Sequence, residues 1–127
     1  MIQNPLYFLV ILVSIIFLSA CGGNVAIGDL ERGQELFMTG GGVIDNLPCS
    51  KCHSVDGSDS IGPQLQGISE YAGRRVQGLS AAEYIEQSIL DPSAYLVEGY
   101  GNEMGSTWKI FLSEEDVDDL VAFLLSK

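Results

Sequence analysis

"NLPCSKCHSVDG", residues 46–57, holds the only histidine of this 127-residue chain and two of its three cysteines. Three chemistries use a cluster such as Cys49, Cys52 and His53, and each places a different demand on the surrounding sequence. A redox dithiol of the Cys-x-x-Cys type opens a helix in a βαβ unit, and no strand pattern precedes Cys49. A structural zinc needs four ligands. Here two thiolates and one imidazole would require a carboxylate such as Asp56 or Asp59 to complete the set. Covalent attachment of haem needs what is present, Cys-x-x-Cys-His. The two thiols add across the vinyl groups of the porphyrin, and the histidine is held under the iron. That is the favoured reading.

Cysteine chemistry depends on compartment, and the amino-terminal sequence speaks to it. The first 27 residues carry no charged side chain, and Leu6 to Ala20, "LYFLVILVSIIFLSA", is apolar apart from two serines and a tyrosine. Such a run suits the apolar region of a secretory signal better than a bilayer span, which takes about 20 residues. Its end, "LSAC" at Leu18 to Cys21, resembles the lipobox of bacterial lipoproteins, in which cleavage precedes a cysteine whose sulfur receives diacylglycerol. Basic residues are missing ahead of the apolar run, a departure from that pattern; the alternative is an uncleaved amino-terminal helix with Cys21 incidental. The expected organisation is a signal at residues 1–20, a lipidated Cys21 with a short tether to residue 28, and one domain over residues 29–127. Both readings place that domain on the extracytoplasmic face of a membrane, the periplasmic side in a bacterium. With Cys21 given to lipid and Cys49 and Cys52 to haem, no cysteine remains for a disulfide.

All 17 acidic and all 6 basic side chains follow the apolar run, for a net charge of −11. A polyanion of that kind is not a nucleic-acid binder. It repels anionic lipid and draws basic partners.

Three helices are expected. "DLERGQELFMTG" starts at Asp29, a good N-cap, and stops at the glycines 40–42. "SAAEYIEQSIL" opens with Ser80 and Glu83 in capping-box spacing and ends before Asp91-Pro92. "SEEDVDDLVAFLLSK" starts at Ser113, its acids crowd the amino end and Lys127 closes the other. Val117, Leu120, Val121 and Leu124 form one apolar stripe at helical spacing. No segment alternates as a strand would. Between Cys52 and Gln77 the apolar side chains are few: Val55, Ile61, Leu65, Ile68, Tyr71 and Val76. Such a stretch could hardly offset its ordering entropy alone, so something large and apolar should fill the middle of the domain. A haem would.

Taken with the attachment motif, residues 29–127 resemble the class I c-type cytochromes, small all-α single-haem electron carriers. "GQELF", with Gly33 and Phe37, resembles the family's first helix, and "DLVAFLLS", with Phe123, the last helix that it crosses. "GPQLQG" resembles the family's Gly-Pro-x-Leu-x-Gly. The resemblance implies three main helices and loops wrapped around one covalent haem c. It implies that the Pro63 carbonyl accepts the Nδ1 proton of His53, fixing its tautomer; the bland reading of Pro63 is a turn former.

With one histidine, the second axial ligand comes from elsewhere. Met104, in "EGYGNEMGSTW", lies where the family carries its methionine; Met38 sits at the end of the first helix. Met104 is the expected ligand, although Gly105 stands where the family often has proline. The propionates need donors, for which Arg74, Arg75 and Trp108 are candidates, with one arginine inward and one exposed, and Tyr71 and Tyr100 as hydroxyl sources. Trp108 also reads simply as an aromatic against the ring edge. The electron-exit edge should be rimmed by Leu47, Pro48, Ser50, Gly101, Asn102 and Gly105.

The stretch from Leu79 to Trp108 is similar to haem domains tied to membrane respiratory complexes, such as the monohaem lipoprotein subunit of alternative complex III and the c-domain of some oxidase subunits II. The implied function is electron transfer in a respiratory or photosynthetic chain, with redox proteins as partners. A haem-based sensor or small peroxidase with an open sixth position is the alternative, as is a structural subunit. Mass spectrometry of the mature protein should find an amino-terminal Cys21 carrying lipid; an intact Met1 would support the uncleaved helix instead.

Overall fold

The computed structural model describes residues 28–127. The signal, Cys21 and nearly all of the tether therefore lie outside the described residues. Among the described residues there are helices and loops and no strand: α1 (Leu30–Thr39), α2 (Ile68–Tyr71), α3 (Ala81–Leu90), α4 (Trp108–Phe111) and α5 (Glu114–Leu125). Two 3₁₀ turns, Cys49–Lys51 and Ala72–Arg74, complete the set. None of the described helices is long and apolar enough to cross a membrane.

α1, α3 and α5 are the three expected helices, and their ends follow from local chemistry. The Asp29 carboxylate accepts from the backbone N–H of Glu31 at 2.9 Å and of Arg32 at 3.0 Å. Gly40 ends α1 in the left-handed region, φ 89°, which a residue without Cβ adopts freely. Ser80 and Glu83 close a reciprocal capping box, and the same hydrogen bonds hold the Glu83 carboxyl below its usual range. Ser113 and Asp116 close a matching capping box at the start of α5. The single-turn helices α2 and α4 read as loop in the sequence, because four residues carry no measurable period.

The core forms where α1 crosses α5. Phe37 and Phe123 are each 1% exposed, with ring centroids 5.3 Å apart. A Cβ on Gly33 would collide with the Asp119 carbonyl oxygen and lie 2.9 Å from the Phe123 Cβ. Of the expected α5 stripe, Val117, Leu120 and Leu124 are buried and Val121 packs half-buried against them. Asp119 is buried too, which the acidic run did not announce. Its carboxylate accepts the backbone N–H of Asp29, so a side chain of α5 satisfies an orphan donor at the entry to α1. Lys127 places its ammonium 4.4 Å over the Phe123 ring.

Gly33→Ala should destabilise the haem-loaded protein by about 3 kcal/mol, the upper end of typical overpacking costs. The guanidinium midpoint of unfolding, followed at the haem absorbance, measures it.

Candidate functional site

The attachment segment is wound by its own backbone. Pro48, extended at φ −63° and ψ 153°, precedes the 3₁₀ turn, and the N–H groups of Cys52 and His53 both donate to the Cys49 carbonyl, at 3.1 and 3.0 Å. The Ser50 hydroxyl donates to the Met38 carbonyl at 2.9 Å, which stitches the turn to the carboxyl end of α1. Lys51 donates to the Asn46 carbonyl at 2.7 Å. Two backbone bonds, Gly62 N–H to Cys52 carbonyl at 2.6 Å and Leu65 N–H to Ser54 carbonyl at 2.7 Å, lay the "GPQL" segment alongside.

That pairing brings Pro63 to the histidine. His53 Nδ1 lies 2.8 Å from the Pro63 carbonyl oxygen, so the proton sits on Nδ1 and donates to it. Gly62 is required beside the ring, since a Cβ there would come within 2.7 Å of His53 Cε1.

Cys49, Cys52, His53 and Met104 all line one cleft, holding about 1180 Å³ of empty space when the solvent at its open mouth is counted. Its walls come from four directions. Leu47 and Pro48 stand beside the thiols, Ile61 to Pro63 and Leu65 beside the histidine, Tyr84 and Ser88 come from α3, and the rest from the stretch 92–108. Ile61, 69% exposed, is apolar surface facing this space. The sequence reading did not single out Tyr84, Ser88, Tyr95, Leu96 or Val97 as lining residues. Tyr84 and Ser88 were discoverable as an i, i+4 pair on α3. Tyr95 was not, since it meets Tyr84 edge-on at 5.8 Å only through the chain reversal at Pro92.

Among the remaining candidates, Trp108 and Tyr100 line the cleft, and the indole N–H is buried with no acceptor among the described residues. A buried donor in that condition costs about 1–3 kcal/mol, so the site wants an acceptor that the described residues do not provide. Neither arginine is among the residues that line the cleft. Arg74 is exposed, and Arg75 lies 4.9 Å over the Tyr71 ring. Arg74 ends the 3₁₀ turn after α2 and Arg75 follows it half-buried, and Tyr71 donates to the Gln64 carbonyl at 3.1 Å. Met38 is 48% exposed and not in the lining.

These facts separate the three chemistries. Burial, with a smaller contribution from Cys52, pushes the Cys49 thiol up to about 11, the reverse of what a redox dithiol requires. No group of three or more His, Cys, Asp or Glu among the described residues is arranged to hold a metal ion, so the zinc reading lacks its remaining ligands. The cleft fits haem: two thiols, an oriented imidazole, a thioether and an unpartnered donor around apolar walls.

The sequence profile of the family described as cytochrome c matches residues 30–127. This chain belongs to the cytochrome c family. Membership brings one covalently bound haem c, for which Cys49 and Cys52 supply the thiols, and the role of an electron carrier rather than an enzyme. Over 62 residues the chain is 29% identical to a protein named cytochrome c-type cyt cy from Rhodobacter capsulatus. That match takes in 49% of this chain and 27% of the relative, so it spans about a quarter of that protein's length.

Gly62→Ala should push the His53 ring off the Pro63 carbonyl. Loss of that hydrogen bond makes the imidazole a poorer donor to iron, so the reduction potential should rise while both thioethers stay intact. Potentiometric titration of the purified protein checks the direction.

Proposed function

We propose that this cytochrome is a class I monohaem electron-transfer protein with His53 and Met104 as axial ligands. It works on the extracytoplasmic side of a bacterial membrane, held there through Cys21, as a subunit or partner of a respiratory complex such as alternative complex III or a terminal oxidase. The observation that carries the ligand assignment is that Met104 shares the cleft with His53 while Met38 does not. Bound haem supplies one-electron chemistry. The chain's part is to hold His53 in one tautomer, to offer a soft thioether in an apolar surround, and to keep solvent from the ring. That ligand pair in such a surround favours a high potential. The exit for the electron is the side of the cleft lined by Leu47, Pro48, Gly101, Asn102 and Gly105. It is nearly uncharged apart from Glu103, within a protein of net charge −11 that steers a basic partner.

Met104→Ala should lower the potential and let the reduced protein bind carbon monoxide, and Met38→Ala should do neither. Wild-type protein that already binds carbon monoxide fully would refute the ligand assignment.

A further inference from the structure

Among the described residues, an apolar patch on α4 lies away from the cleft. Ile110 is 72% exposed and Phe111 57% exposed, consecutive on α4, and neither lines the cleft. Their neighbour Leu112 is buried and Trp108, on the same helix, faces the cleft, so α4 turns one side inward and offers the other to the outside. Lys109 stands exposed beside the pair.

Where the chain enters the domain gives this patch its meaning. Gly28 packs against the backbone of Asp118, the Asp29 N–H is held by Asp119, and the Arg32 guanidinium lies 3.7 Å from the Asp116 carboxylate. The first turns of α1 and α5 therefore sit together, and α5 begins three residues after Phe111. Leu30, 44% exposed, adds a third apolar side chain close to the entry point. From Cys21 to Gly28 is seven residues, which reach at most about 25 Å when fully extended.

We propose that Ile110 and Phe111 dip into the bilayer and orient the domain with the cleft's mouth turned away from the membrane. This rests on the anchor at Cys21 described above. A lipid within about 25 Å gives the patch a standing high local concentration of bilayer, so a contact too weak to recruit the protein suffices to orient it. The side chains suit such a contact, with two apolar groups for the boundary between headgroups and acyl chains and a lysine whose ammonium can rise to the headgroups. The orientation follows from α1. Its amino end holds the tether, and its carboxyl end, about 15 Å further along a ten-residue helix, holds the attachment turn through Ser50 and the Met38 carbonyl. Thus the edge beside the thioethers points toward a partner that stands out from the membrane. Glu114, Glu115 and Asp116 lie close to the patch and disfavour anionic lipid, so the contact belongs to a zwitterionic surface.

The test uses the full, haem-loaded, lipidated protein in phosphatidylcholine vesicles, with a nitroxide on Ile110→Cys and, separately, on Ser58→Cys as the control. Flotation reports the anchor, and collision with oxygen against a water-soluble nickel complex reports the depth of each label. The expected result is a floating protein whose label at 110 meets oxygen at least several-fold more than nickel, while the label at 58 meets nickel freely. A floating protein with both labels equally open to nickel overturns the orientation and leaves the anchor standing. A protein that does not float overturns the anchor and the orientation with it. Shielding at 110 that arises in native membranes but not in protein-free vesicles identifies a protein interface and overturns the bilayer contact.

Discussion

Two helix backbones touch where α1 crosses α5, and nearly every other feature of this protein depends on that contact. With glycine at 33 the helices approach until the Asp119 carbonyl occupies the place of a side chain, and Phe37 and Phe123 close over the crossing. Fixing the axis of α1 fixes its carboxyl end, and that end carries the attachment turn through the Ser50–Met38 hydrogen bond. The turn in turn presents His53 to Pro63. A glycine in mid-helix costs about 1 kcal/mol of helix propensity. The cost is offset by a crossing that sets one wall of the haem cleft from well outside it.

The cleft itself is the other half of the core. Among the described residues, thirteen apolar residues are buried by the chain's own packing, most of them on α1, α3 and α5. The segment from Cys52 to Gln77 contributes only Ile68 and Ala72 to that set, and its Ile61 lies open to the cleft. The haem is therefore a structural component as well as a redox one, because it supplies the apolar bulk that this stretch omits.

Features governed by near neighbours along the chain are legible in the sequence itself. The helix starts at Asp29, Ser80 and Ser113 depend on residues two or three positions away, and the attachment motif runs only from Cys49 to His53. The His53–Pro63 hydrogen bond is implied only by family resemblance, since nine residues of loop separate the partners. What stayed hidden depends on distant chain segments. The buried Asp119 looks like any acid of a solvated helix start until Asp29 is known to face it across 90 residues. The arginine pair gives no sign in the sequence that Arg75 stacks over Tyr71 while Arg74 stays exposed. Tyr95 enters the cleft by a reversal that composition does not encode.

The buried Asp119 carboxylate also decides how mechanical load passes through the molecule. Any pull on the chain ahead of Gly28 meets the Asp119–Asp29 hydrogen bond and the Arg32–Asp116 pair first, both on α5. These bonds sit at the amino end of α1, and the attachment turn hangs from the opposite end. Tension is therefore carried into the crossing of two helices and grounded there. The histidine, whose position tunes the iron, sits on a branch of the structure that such a force does not traverse.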